Sequence, residues 1–231
     1  MKIGIIGAGM IGSTLTRRLT ALGHDVRVAN SRSPDTLEEL AGETGATPVW
    51  AKDAVDDVEL VVVTIPEKAV TDLPDDLFAD VPDEVVVVDT GNYYPRERDG
   101  RIEPIEEGLP ESRWVERQIG RPVIKAFNNI YFESLMNKGR SADSPERIAL
   151  PVAGDDDRAK AVVLELIEEL GFDGVDAGGL DESWRQQPGT PVYTTDLDAE
   201  GVRKALKQAT PERPPKFRAT DNSPGTFNEP A

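Results

Sequence analysis

Gly7-Ala8-Gly9-Met10-Ile11-Gly12 places three glycines at the spacing G-x-G-x-x-G. The run follows a short apolar segment, Lys2–Ile6. It opens an amphipathic one, Met10–Leu22, whose apolar residues at 11, 15, 19 and 22 share one helical face. A second apolar run, Asp25–Ala29, comes next. Strand, glycine turn, helix and strand in this order are the context in which such spacing grips the pyrophosphate of a dinucleotide. Gly7 permits the tight turn, Gly9 leaves room for phosphate at the backbone, and Gly12 lets the helix lie close on the strand. Met10 and Ile11 complete the turn into the helix, where free N–H groups and a partial positive charge suit an anion.

The end of the second strand selects the dinucleotide. A carboxylate there accepts from the ribose 2′-hydroxyl of NAD. This chain has Asn30-Ser31-Arg32-Ser33 instead. An amide, hydroxyls and a guanidinium can hold a 2′-phosphate, so NADP is the expected cofactor. Ser31 and Ser33 could also cap the helix that starts at Pro34. Two further strand ends fit the same ligand. Thr64-Ile65-Pro66 should run along the pyrophosphate and nicotinamide ribose, and Asp89-Thr90-Gly91-Asn92 should lie nearer the nicotinamide. Asn128 and Asn129, after a later strand, could orient the carboxamide or the hydride acceptor, or simply cap a helix.

The chemistry those residues leave out is equally informative. There is no cysteine, so there is no thiolate nucleophile, disulfide framework or cysteine-ligated metal. The single histidine, His24, falls at the amino end of the second strand, away from the ligand, so no multi-histidine metal site is expected. No Tyr-x-x-x-Lys pair exists: Leu135, Arg98 and Leu197 stand four residues after Tyr131, Tyr94 and Tyr193. Lys125 lies within a strand, where pairing or capping explains it best. The reading therefore assigns no catalytic side chain and no metal; hydride chemistry would belong to the cofactor. The net charge of −17 argues against nucleic-acid or anionic-membrane partners. It also requires attraction for an anionic cofactor to be concentrated locally, at Arg32 and the helix start at Gly9–Gly12.

The elements that must position these residues alternate in period. Apolar runs at Glu59–Ile65, Glu84–Asp89, Pro122–Phe127, Ile148–Ala153 and Gly174–Asp176 join the first two. Leu60-Val61-Val62-Val63 and Val85-Val86-Val87-Val88 are continuous rather than alternating, which implies strands buried on both faces. Helices are predicted at Met10–Leu22, Pro34–Gly42 (ended by Gly42) and Asp155–Leu170 (stopped by Gly171). The fold class is α/β: a doubly wound, mostly parallel sheet of Rossmann type with a small C-terminal extension. The expected division is a nucleotide-binding domain over 1–180, a helical or loop segment over 181–209, and a tail over 210–231. Five prolines and few large apolar groups make the tail read as disordered, unless it packs on its own domain or on a neighbour. No signal-peptide pattern or membrane-length apolar run is present, so the cytoplasm is the expected compartment. A homodimer is the expected assembly.

The N-terminal glycine motif, Asn30-Ser31-Arg32, Thr64-Ile65-Pro66, Val123-Ile124-Lys125-Ala126-Phe127-Asn128 and Pro151-Val152-Ala153-Gly154-Asp155-Asp156 together resemble the coenzyme F420-dependent NADP oxidoreductase family, in its bacterial branch, over about residues 1–180. The resemblance implies direct hydride transfer between NADPH and a deazaflavin, with no obligatory side-chain acid. Phe127-Asn128-Asn129 departs from the Leu-His-Thr of archaeal members. Gly91–Arg121, with Tyr93, Tyr94 and Trp114, could build a different acceptor pocket. Ser183–Tyr193 suits a pocket wall or subunit interface, and Arg185 could hold an anionic acceptor tail. The partner is thus a small-molecule hydride acceptor: a flavin-like or deazaflavin compound first, a quinone, ferric chelate, carbonyl or imine second. A non-catalytic NADP-binding regulatory module is the reading from another class. About 50 residues follow Leu180. That is too few for the helical domain of pyrroline-carboxylate reductases or β-hydroxyacid dehydrogenases.

Overall fold

The computed structural model describes residues 1–231. Its strands are β1 (Lys2–Ile6), β2 (Asp25–Ala29), β3 (Thr47–Pro48), β4 (Leu60–Val63), β5 (Val86–Asp89), β6 (Ile124–Lys125), β7 (Ala149–Val152) and β8 (Asp173–Asp176). Its α-helices are α1 (Met10–Ala21), α2 (Glu38–Thr44), α3 (Ala51–Ala54), α4 (Glu103–Glu106), α5 (Glu111–Ile119), α6 (Phe132–Asn137), α7 (Asp157–Glu169) and α8 (Ala199–Gln208). No helix is long and apolar enough to cross a membrane.

Six strands form one parallel sheet in the order β3-β2-β1-β4-β5-β6. Continuous apolar strands are what such a sheet needs, because helices cover both of its faces. Leu60 and Val62 enter one core with Ile3, Ile5, Leu15 of α1 and Leu166 of α7. Val61 and Val63 enter the opposite core with Ile6, Ala54 and Phe78. The strand order reverses between β1 and β4, and in such sheets ligands lie off the carboxyl ends of the strands at that point. The fold is therefore the expected doubly wound α/β sheet of Rossmann type. The added strands β7 and β8 pair in parallel with each other. They join the main sheet by one antiparallel bridge, Lys125 to Ala153, with N–H to carbonyl distances of 2.7 and 3.0 Å.

Two expected elements differ in extent. The segment from Pro34 begins as a 3₁₀ turn, Pro34–Leu37, and continues as α2 through Gly42. Gly45, at φ 80°, ends it instead, because the left-handed cap needs a glycine there and Gly42 sits inside the helix. The run Pro122–Phe127 contributes only Ile124–Lys125 to the sheet. Phe127 is fully buried at φ 60°, a left-handed conformation that turns the chain out of the strand.

The proline-rich tail is ordered against its own chain. Phe217 and Phe227 pack on Tyr94, with ring centroids 6.3 and 5.7 Å away. The Arg96 carbonyl accepts from Gly225 N–H (2.7 Å) and Ala231 N–H (3.1 Å), and the Arg96 guanidinium donates to the Ala231 carbonyl. Arg213 pairs with the fully buried Glu111 at 2.8 Å. Proline blocks regular secondary structure but not side-chain packing, and it lowers the entropy lost on ordering. Truncation at Thr210 is expected to lower the melting temperature by at least about 5 °C, because it strips the partner from a buried carboxylate. Thermal denaturation of the truncated chain checks this, and an unchanged midpoint would contradict it.

Candidate dinucleotide-binding site

The glycine turn sits between β1 and α1 at the switch point of the sheet. Gly7 has φ 114°, which only glycine adopts freely. A Cβ on Gly12 would strike the Gly7 carbonyl oxygen and lie 2.8 Å from Thr64 Cγ2. The helix therefore packs against the β4 turn at a distance that excludes any side chain. Gly9 is the opposite case: a Cβ there would meet nothing within 4 Å. Its missing side chain opens onto solvent beside the start of α1. No side chain caps that helix, and the backbone N–H groups of Gly9, Met10, Ile11 and Gly12 have no protein acceptor. Four unspent donors beside an open glycine fit a pyrophosphate. Met10 is 68% exposed at the rim.

The residues after β2 are arranged by their own hydrogen bonds. Asn30 Oδ1 accepts from Arg32 N–H at 2.8 Å, and Asn30 Nδ2 donates to Thr36 Oγ1 at 2.9 Å. Ser33 caps the following turn and donates to Asp35, so its hydroxyl is spent. Ser31 and Arg32 are exposed, and the Arg32 guanidinium has no partner. The fold thus leaves one free cation where a 2′-phosphate would arrive.

Off the ends of β4, β5 and β6 lies a layer of buried polar groups. Asp89 Oδ2 accepts from Ser112 Oγ (2.6 Å) and Lys125 Nζ (3.1 Å), and Asp89 Oδ1 accepts from Gly91 N–H (2.8 Å). Lys125 Nζ also donates to the Gly91 carbonyl at 2.5 Å. Asp89 and Lys125 are both buried. Burial alone would push the Lys125 ammonium down, but the charges of Asp89 and Glu111 outweigh it, and its pKa lies above the ordinary lysine value. The pairing role expected for Lys125 is what the geometry shows. Thr90 is buried beside Asp89.

Asn92 and Asn128 meet. Asn92 Nδ2 donates to the Asn128 carbonyl (2.9 Å), and Asn128 Nδ2 donates to Asn92 Oδ1 (3.1 Å) and the Gln186 carbonyl (2.7 Å). Gln186 Nε2 returns a bond to Asn128 Oδ1 at 2.9 Å. The Asn128 side chain is thus spent inside the protein, clamping the 180–190 segment onto the strand ends, and Asp89 likewise serves Gly91, Ser112 and Lys125. Both shape the site from beneath. Gly7, Gly12, Thr64 and Ile65 form one packed unit around the turn, and Pro66 leads from it to Glu67.

Several expectations for the acceptor side change. Tyr93 and Trp114 are buried with Val70, Ile105 and Val115, so neither lines a pocket. Tyr94 alone reaches outward, hydroxyl to hydroxyl with Tyr193, under the tail. Ser183, Gln186 and Val192 are buried within this chain. Trp184, Gln187 and Thr190 do wall a cleft of about 460 Å³ shared with Arg213 and Arg218. Arg185 stacks on Trp184 and pairs with Glu182 at 2.5 Å, so its charge is already engaged. His24 lies at the far end of the sheet, between the N-terminal amine and Glu169.

Sequence reasoning missed Glu67 and Glu111. Both are fully enclosed acids, although acidic side chains ordinarily read as solvated surface. The only local signal for Glu67 is its place directly after a strand-end turn. For Glu111 it is the first turn of an amphipathic helix.

Comparisons with known proteins agree with this geometry. SMa0349 of Sinorhizobium meliloti, a hypothetical protein of known structure, superposes with a TM-score of 0.72 at 30% identity, over 85% of this chain and 95% of that one. A candidate F420-dependent NADP reductase from Arthrobacter sp. FB24 superposes at 0.64 with 24% identity, over 78% and 86%, and so shares the fold. The Escherichia coli K12 protein YjhV is 44% identical over 63 residues, 27% of this chain. This chain spans less than half of that relative, 46% of its length. Residues 2–93, which carry the glycine turn, the Asn30–Arg32 segment and the Thr64 turn, match the family described as NADP oxidoreductase, coenzyme F420-dependent. Residues 2–93 thus carry a domain of that family, and the fold is that of nicotinamide-dinucleotide oxidoreductases.

Proposed function

We propose that this protein is an NADPH-dependent oxidoreductase that transfers hydride between NADP(H) and a flavin-like or deazaflavin acceptor, with coenzyme F420 as the leading candidate. The observation that carries the NADP preference is Arg32: an exposed, unpartnered guanidinium at the end of β2, with Asn30 ordering its backbone. The Gly9–Gly12 amides would hold the pyrophosphate, and Arg32 with Ser31 would hold the 2′-phosphate. The bound nicotinamide would supply the hydride. This chain's residues orient the ring and exclude water: Asp89 and Lys125 fix Gly91, and the Asn92–Asn128–Gln186 clamp closes the strand ends. No side chain need protonate the substrate when the acceptor takes hydride directly. The proposal includes a homodimer, the commonest assembly of soluble oligomers.

Arg32→Ala is expected to weaken NADPH binding by at least about tenfold, the worth of one charge-assisted phosphate contact, and to leave NADH binding nearly unchanged. Fluorescence titration of both nucleotides reads the two effects separately. Equal losses would remove the 2′-phosphate assignment while leaving dinucleotide binding in place.

A further inference from the structure

Asp89, Glu111, Asp99 and Glu67 crowd the layer beneath the carboxyl ends of β4 and β5, and three of the four have cationic partners. Lys125 pairs with Asp89 at 3.1 Å, Arg213 with Glu111 at 2.8 Å, and Arg98 with Asp99 at 2.8 Å. Glu67 has none. It is fully buried, and neither carboxylate oxygen has a hydrogen-bond partner. Its Oε1 lies 2.6 Å from where a Gly91 Cβ would stand, and Asp89 Oδ1 is 3.0 Å from the same point, so the two acids face each other across Gly91. The nearby donors are spent on Asp89: the Ser112 hydroxyl, the Gly91 N–H and the Lys125 ammonium. With Glu67 neutral, the three ion pairs balance. With Glu67 ionised, the layer carries an uncompensated negative charge. Burial, and then the charge of Asp89, hold the Glu67 carboxyl well above the usual carboxylate range; Lys125 opposes the shift, while Glu111 and Asp99 add to it.

A nicotinamide ring is neutral when reduced and cationic when oxidised. In a doubly wound sheet it lies off these same strand ends. A cation near a low-dielectric layer favours ionisation of an acid within it. We propose that Glu67 is a redox-linked proton site: it keeps its proton under the reduced dinucleotide and releases it to solvent under the oxidised one. The inference rests on the dinucleotide reading above. In the balance, binding of NADP⁺ breaks the Glu67 O–H bond, the electron pair stays on the carboxylate, and one proton leaves. Binding of NADPH breaks no bond at Glu67. Glu67 is thereby a positioning residue for charge: its carboxylate offsets the ring cation that hydride departure creates.

The test is proton counting on the full chain, with NADP⁺ and NADPH titrated between pH 6 and 8 in weak buffer with a pH indicator. Proton changes at the shared 2′-phosphate occur with both nucleotides and cancel in the difference. NADP⁺ is expected to release up to one proton more than NADPH. By linkage, the affinity for NADP⁺ relative to NADPH should then rise with pH, by up to about tenfold per unit. Glu67→Gln copies the shape of the protonated carboxyl but cannot ionise. It is expected to bind both nucleotides and to abolish the difference. Equal proton release in the parent, or a difference that survives in Glu67→Gln, would overturn the inference while leaving dinucleotide binding standing. Failure of the parent to bind either nucleotide would overturn the dinucleotide reading and this inference with it.

Discussion

Gly9→Val is expected to fold like the parent and to lose dinucleotide binding. A Cβ at Gly9 meets no protein atom within 4 Å, and the residue has φ −74° and ψ −165°, extended backbone open to any side chain. Its effect on stability should therefore stay within about 0.5 kcal/mol, as for an exposed substitution. The isopropyl group instead fills the space beside the free amides of Gly9–Gly12, where a pyrophosphate must reach the backbone. We expect binding to weaken by at least about a hundredfold, ~2.8 kcal/mol. Gly12→Val is the control with the opposite signature. Its side chain would collide with the Gly7 carbonyl and crowd Thr64, so it should lose stability as well, by about 1–3 kcal/mol or more for overpacking. Thermal melts and nucleotide titrations on the two variants separate a ligand-facing glycine from a packing glycine. Normal binding by Gly9→Val would place the ligand elsewhere.

Lys125→Met is expected to destabilise the protein by about 3–5 kcal/mol, the usual cost of stranding a buried charge. Its ammonium is completely enclosed and answers Asp89 at 3.1 Å. Methionine fills the same volume but leaves the Asp89 carboxylate with only the Ser112 hydroxyl and the Gly91 amide. Glu111 lies close enough to deepen the deficit. Adding Asp89→Asn to Lys125→Met removes the stranded charge and should recover most of the loss, so the two changes are strongly non-additive. Denaturant unfolding of the parent, both single variants and the pair measures this coupling. Additive effects would mean that the pair contributes no more than two separate polar groups.

The parts of the fold that were legible in sequence are those whose cause is local. Glycine spacing announces the turn because Gly7, Gly9 and Gly12 each answer a different backbone demand within six residues. Continuous valines announce β4 and β5 because both faces of a parallel sheet are dry. Gly171 ends α7 by the same left-handed chemistry that places the true stop of α2 at Gly45 rather than Gly42. What was not legible depends on distant partners. Thr47–Pro48 is a strand only because β2 offers it an edge. The tail is ordered because Tyr94, Arg96 and Glu111, more than a hundred residues earlier, receive Phe217, Ala231 and Arg213. Asn128 lies just beyond β6, and its amide faces Gln186, a contact that no spacing encodes. Glu67 looked like one more acid in a chain of net charge −17. Its burial emerges only once β4, β5 and β6 stand side by side.

Incubation of the protein with NADPH carrying deuterium at nicotinamide C4 and an equimolar flavin or deazaflavin acceptor decides whether hydride passes from one to the other. Loss of absorbance at 340 nm is expected with either acceptor, and a reduced deazaflavin should keep the label at carbon C5 whereas a reduced flavin exchanges it from N5 into water; Gly9→Val should be inactive. Tight NADPH binding with no oxidation by any flavin, deazaflavin, quinone, ferric chelate or imine would contradict this transfer and leave a dinucleotide-binding protein that does not turn over.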